Sequence, residues 1–433
     1  MAAFLGMRGN GDWATDQRPK HWREMILYLY PNGSAPLTAM LSKMKSEKVS
    51  DPEFNWWTKN LAGQGGTVTN VYTDAILASA YSYSSVRAAG TVMYVKAAEA
   101  VIKEIRVGHQ VLLRDSSWPD VDVNGEVTAR ALNGASSYVA VKLLEEENTA
   151  NSAAANLSTV DRILVIGSMN AEGATIPDAI SYDPVKYYNY TQIFRTPLEI
   201  TRTARKTRLR TGDSYKEMKR EALELHSIEI EKSFFYGVRS ENTGSNGKPK
   251  RTGHGVVPFV KDNASSNVFA YDTDSSYSGS SWNAQGETWL DTSLEAIFRY
   301  GSQEKIAYCG SGALLGINRL AKSSGQVQLK PSSASYGLKV VEWLTPFGTL
   351  YLKTHPLFSY ETTTQNRMVV VDPANIQFDY IDDTFFKKDD SEKKAGQIGM
   401  DGTKEEFLTE GHLEIHHPLS FGVLDGVGVD NSV

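Results

Sequence analysis

A single thiol and one group of histidines are the residues whose chemistry could make this chain an enzyme. Cys309 lies in Tyr308-Cys309-Gly310-Ser311-Gly312, and a thiol at the head of a glycine-rich turn would be activated by a helix beginning there. A thiolate nucleophile needs a base, and no histidine or acid neighbours Cys309 in sequence. Free cysteine is among the most buried residue types, so its expected role is packing at a strand-to-helix junction. One cysteine also excludes an internal disulfide and a cysteine-rich zinc site. His412 and His416 would make a zinc-binding i, i+4 pair on a helix, with His417 beside them. The surrounding Leu413-Glu414-Ile415 and Pro418 read as strand, where that spacing forms no compact ligand face. Asp382-Asp383 and Asp389-Asp390 alternate with Lys387, Lys388, Lys393 and Lys394, the pattern of a solvated, salt-bridging loop. Neither the Cys309 turn nor Gly63-Gln64-Gly65-Gly66 matches a phosphate-cradling motif. The expectation is a protein with no catalytic residues, no metal and no cofactor.

Recognition chemistry is more prominent. Arg202, Arg205, Lys206, Arg208 and Arg210 have no acid between them, so they could hold phosphates or the acids of another subunit. Lys and Arg number 45 against 51 for Asp and Glu, a net charge of −6, which argues against a chain that coats nucleic acid with its whole surface. Pairing between subunits is the favoured reading of the basic stretch. Trp56 and Trp57 are adjacent in a strand-like segment, so they point to opposite faces and offer aromatic surface to a partner. These seven residues are the expected inter-subunit contacts.

The elements that must position them can be read from periodicity and punctuation. A chain of 433 residues gives a prior of roughly three structural units, and 41% hydrophobic with 22% charged residues is a globular composition. Met25 to Ser42 is long and uncharged, but Pro31-Asn32-Gly33 and Pro36 would break a membrane-spanning helix, and no basic region precedes Ala2-Ala3-Phe4-Leu5 as in a secretory signal. The chain is expected to act inside the cell that makes it. Residues 104–166 read as a β-rich block of short strands, with Asn124-Gly125 as a hairpin turn. The strongest helix signal spans 214–236, with a Ser214/Glu217 capping box, a Gly237 stop, and a stripe of Met218, Ala222, Leu225 and Ile228. At 1.5 Å per residue it makes a rod of about 33 Å. Residues 260–288 read as a long loop, followed by helices from near Thr292 to Gly301 and from Ser311 or Gly312 to Lys322. Strands follow over 338–344 and 349–353 around Thr345-Pro346-Phe347-Gly348, then 368–371, 376–380 and 407–415, the last pair separated by the charged run 379–394.

This order, an aromatic arm, an extended excursion with a β-rich insert, one long charged helix, then a mixed region ending in strands, resembles the major capsid proteins of tailed double-stranded DNA phages. Local stretches carry the resemblance: Pro36-Leu37-Thr38 to Phe54-Asn55-Trp56-Trp57; Glu172-Gly173-Ala174 to Tyr188-Asn189-Tyr190-Thr191-Gln192-Ile193-Phe194; and Tyr336-Gly337 to Pro346-Phe347-Gly348 and His355-Pro356. The resemblance implies an α+β, Hong Kong 97-like fold. It implies an N-terminal arm (1–50) and an extended loop (51–200) bearing the insert. A peripheral domain (201–289) built on the spine helix 214–236, an axial domain (290–360) and returning peripheral strands (361–433) complete it. It further implies self-assembly into pentamers and hexamers of an icosahedral virion, assembled in host cytoplasm. Portal, scaffolding and decoration proteins would be the partners, and double-stranded DNA would be enclosed without sequence-specific binding. No membrane is involved. No coiled segment precedes the spine helix, which points to a separate scaffolding protein. An encapsulin-like nanocompartment shell is the alternative on the same fold, and a thiol enzyme using Cys309 is the alternative of another class.

Overall fold

The computed structural model describes residues 37, 45–59, 63–147, 156–173, 175–207, 213–324, 329–335, 338–388 and 402–432. Helices and strands are mixed throughout, the α+β class expected. The chain forms two compact units, one from Met1–Thr58 with Lys186–Val433 and one from Lys59–Val185.

The first unit is organised by a seven-stranded mixed sheet whose middle strands are Glu304–Cys309, Gly348–Thr354 and Met368–Val371. Ile306-Ala307-Tyr308-Cys309 and Met368-Val369-Val370-Val371 are continuous apolar runs because both sheet faces are covered. Ile306, Tyr308, Val369 and Val371 enter one core with Phe234, Phe235 and Phe358. Ala307, Cys309, Met368 and Val370 alternate into a second core with Trp282, Trp289, Leu294 and Ile317. Helices Trp282–Phe298 and Ser311–Ser324 supply that second core.

Strand Gln192–Thr201 pairs antiparallel with Gly402–Ile415 from Gln192↔Gly411 to Thr201↔Gly402, at the edge of a four-stranded sheet. The spine helix Ser214–Tyr236 packs on it. Asp213, one residue before the expected cap, caps this helix by accepting from the Tyr215 backbone N–H. The buried stripe is Ala222, His226, Ile230 and Phe234 at four-residue spacing, whereas Leu225 is 55% exposed. The predicted stripe is thus displaced, because His226 serves as a core residue: Thr196 and Thr409 bond its two ring nitrogens at 2.9 and 2.7 Å. Gly237 does end the helix, but with φ −57°; a Cβ there would lie 2.6 Å from the Ser233 carbonyl oxygen.

Three further expectations are corrected. The helix placed at Thr292 begins ten residues earlier at Trp282, and residues 260–281 contain short helices and the strand Val268–Ala270. The run 379–394 does not interrupt strand structure at its start, since Ile376–Lys387 is one strand with bulges after Tyr380 and Asp382. Nor do the returning strands complete one sheet: Met368–Val371 lies in the seven-stranded sheet, and Ile376–Lys387 with Gly402–Ile415 in the four-stranded one.

The second unit is a closed six-stranded barrel of Gly65–Tyr72, Val92–Ala97, Tyr138–Leu143, Trp118–Ala131, His109–Asp115 and Arg162–Ser168, in that spatial order. It recruits two strands before the expected β-rich block. Val71, Val95, Val111, Leu113, Val123, Val127, Val139, Val141 and Ile163 alternate inward to give it a core of its own. Asn124-Gly125 is no turn; it lies inside the strand Trp118–Ala131. Gly125 opposes both Val111 and Leu143, and a Cβ on it would meet Val141 at 2.2 Å, so glycine serves close strand approach there.

Candidate assembly interface

Strand Glu53–Thr58 alternates in burial, and the two tryptophans separate accordingly. Trp56 is buried, 5.9 Å from Phe54, 6.3 Å from Tyr187 and 6.4 Å from Phe259 between ring centroids. It belongs to the chain's own core and is not available as an outside anchor. Trp57 is 62% exposed. Its strand pairs with Val185–Tyr190, on which Tyr187 and Asn189 turn inward and Tyr188 and Tyr190 turn away. Arg239 lies 3.8 Å above the Tyr188 ring and donates to the Tyr188 carbonyl at 2.8 Å.

The basic stretch divides as well. Arg202–Lys206 is a one-turn helix, started by Thr201, whose hydroxyl accepts from the Ala204 N–H at 3.2 Å. Arg202, Arg205 and Lys206 are all exposed. Arg205 stacks 4.8 Å from the Tyr215 ring and donates to the Thr403 hydroxyl at 3.3 Å, so part of its role lies within the chain. Arg208 and Arg210 lie outside the described residues. Nearby acids are already engaged: Glu406 by Arg195 and Lys387, and Glu199 by Lys404. The first half of the spine helix adds two exposed apolar side chains, Leu223 and Leu225.

Of the residues that suggested catalysis, Cys309 and His412 lie in the interior, His416 is half-buried and His417 is exposed. Cys309 ends a core strand, fully buried, and burial pushes its thiol far above the ordinary range. His412 is buried among Asn189, Ser233 and the Phe234 ring, and desolvation, with nearby His254, lowers its pKa to about 3. His416 pairs with Glu414. Among the described residues no group of His, Cys, Asp and Glu could hold a metal, and no helix is long and apolar enough to cross a membrane.

Sequence reading missed the buried charges. Glu231 of the spine helix accepts from the Leu37 backbone N–H at 2.7 Å and pairs with His355 Nε2 at 2.9 Å. Lys305 sits 3.6 Å from Asp372 and donates to the Tyr300 and Ser420 carbonyls at 2.9 and 2.7 Å; burial lowers its pKa to about 8 against the opposing pull of Asp372. Asp379 and Glu414 share the Gln377 amide at 3.2 and 3.1 Å. Burial, and then Glu414, raise the Asp379 pKa, while His416 helps keep Glu414 ionised. Glu231 and His355, Lys305 and Asp372, and Asp379 and Glu414 are far apart in sequence, and no local spacing announces these pairs.

The family model described as SU10 major capsid protein matches residues 10–428. A major capsid protein of Pseudomonas phage PaMx41 is 25% identical over 94% of this chain and 92% of its own length. A chain from Microbacterium phage Oxtober96 is 10% identical, with a TM-score of 0.43 over 94% of this chain and 96% of its own. One from Mycobacterium phage Bobi is 7% identical, with a TM-score of 0.42 over 94% and 95%. With nearly its whole length matched by one family, the chain belongs to the SU10 major capsid proteins.

Proposed function

We propose that this major capsid protein builds the phage head as pentamers and hexamers of an icosahedral, Hong Kong 97-like shell around double-stranded DNA. The reading rests on one observation above the others: rigid elements carry large apolar side chains outward, Trp57 on its strand and Leu223 and Leu225 on the spine helix. Buried among neighbouring copies, such side chains contribute to association instead of meeting water. In this reading the arm is 1–50 and the extended loop 51–200. The peripheral domain is 201–289, the axial domain 290–360, and the returning peripheral strands 361–433. Trp57, Arg202, Arg205, Lys206, Arg208 and Arg210 contact neighbouring subunits. The role is structural. Portal, scaffolding and decoration proteins complete a virion assembled in host cytoplasm.

Negative-stain microscopy and sedimentation of the concentrated chain, co-expressed with its scaffold where one is needed, should show rings or shells. Reversing Arg202, Arg205 and Lys206 to Glu should stop assembly and leave the helical circular dichroism unchanged. A variant that assembles but retains no DNA would turn the basic stretch toward the genome. A chain that stays monomeric under all these conditions refutes the assembly reading.

A further inference from the structure

Two surfaces, one in each unit, complement each other in charge and backbone form. The first follows the last barrel strand. Residues 175–184, Thr175-Ile176-Pro177-Asp178-Ala179-Ile180-Ser181-Tyr182-Asp183-Pro184, contain no helix, strand or hydrogen-bonded turn. The two prolines bias the preceding residues to extended backbone. Ile176 is 96% exposed, although nothing in its own chemistry favours water. From Ile163 to Val185 the sequence holds three acids, Glu172, Asp178 and Asp183, and neither Lys nor Arg.

The second surface is a groove of about 630 Å³, within the size range of ligand clefts. Gln192 and Ile193 form one wall, at the start of the strand whose outer edge has no strand partner among the described residues. The other wall is the hairpin Ser240–Thr243 with Pro249–Thr252, which pairs with no further strand among the described residues. Ile193 is 56% exposed. Lys248, Lys250 and Arg251 line the groove; Arg251 reaches Glu241 at 3.3 Å, and neither lysine has an acid partner among the described residues. Glu410, the acid in the groove, lies 3.5 Å from the Thr191 hydroxyl.

We infer that residues 175–184 of one copy lie in the groove of a second copy, Ile176 against Ile193 and Asp178 and Asp183 toward Lys248 and Lys250. An extended segment supplies the backbone groups that a free strand edge lacks, and its side chains supply register. The opposite charges disfavour other orientations. This inference rests on the assembly reading and goes further by naming the two surfaces that meet.

Ile176→Cys and Ile193→Cys chains, each made separately and then co-assembled, should give a two-chain product with a bismaleimide. Particles of the parent, whose Cys309 is buried, should give none. Lys248→Glu with Lys250→Glu should lower the assembled fraction at least tenfold, and Asp178→Lys with Asp183→Lys on the same chain should restore it. If the parent forms particles but the mixed cross-link is absent, or the lysine reversal assembles as well as the parent, the groove assignment is overturned while assembly stands. Cross-linking solely within one chain of an Ile176→Cys/Ile193→Cys double variant also overturns it. A parent that forms no particle removes the assembly reading and this inference together.

Discussion

Trp56→Ala should destabilise the folded chain by about 3 kcal/mol, while Trp57→Ala should leave its stability within about 0.5 kcal/mol and abolish shell formation. A buried tryptophan removes about 150–250 Å² from water, worth about 4–6 kcal/mol at 25 cal/mol per Å². Trp56 gives some of that back, because its Nε1–H finds no acceptor among the described residues, at a cost of about 1–3 kcal/mol. Trp56→Phe, which removes the orphan donor and keeps a ring against Phe54 and Tyr187, should therefore be much milder than the alanine variant. At about 2 °C per kcal/mol for a unit of this size, the Trp56→Ala chain should melt about 6 °C below the parent. Near-ultraviolet circular dichroism under non-assembling conditions reads the melt, and sedimentation under assembling conditions reads the shell. If Trp56→Ala melts with the parent, or if Trp57→Ala loses as much stability as Trp56→Ala, the division of the pair into core and interface is wrong.

Asp379→Asn should stabilise the chain at pH 7 and flatten its pH dependence. The raised pKa means that the folded chain keeps a proton that the unfolded chain releases above pH about 4. The parent should therefore lose stability as pH rises from there until Asp379 ionises in the fold, as denaturant titrations across pH would show. Gly253→Ala places a Cβ 2.2 Å from the His412 ring and should cost about 3 kcal/mol in urea unfolding, since ring and backbone are both held. Cys309 should react with a maleimide only after denaturation, and a thiol that labels in the native chain would contradict its burial.

The parts of the fold that were readable in advance share a physical cause: local sequence sufficed to determine them. The spine helix is announced by its charged, helix-favouring composition and its glycine stop, and the two-residue turn at Pro346-Phe347 joins the strands expected around it. The helix that starts at Trp282 contains Gly286, a weak helix former. In the fold, the missing side chain admits the Trp282 ring, to which a Cβ would come within 2.7 Å. Asn124-Gly125 misled for a similar reason, since glycine answered a neighbouring strand and not a turn. At the interface, alternation showed that Trp56 and Trp57 face opposite ways. Deciding which side is interior required Tyr187 and Phe259, more than a hundred residues away. Lys305 and Asp372 meet only through sheet topology, so each alone reads as an ordinary surface charge.

The barrel's closure bears on the order in which the chain acquires structure. Its ends continue into the strands Glu53–Thr58 and Val185–Tyr190, which pair with each other across an excursion of more than a hundred residues. Joining those strands through an unstructured chain would cost on the order of 4 kcal/mol in loop-closure entropy. A barrel with its own apolar interior can collapse first, shorten the effective tether and bring the two strands within reach of each other. Lesions in its interior, such as Val123→Asp, would then delay the maturation of the core that holds Trp56, and their signature would be a slowed refolding phase reported by Trp56.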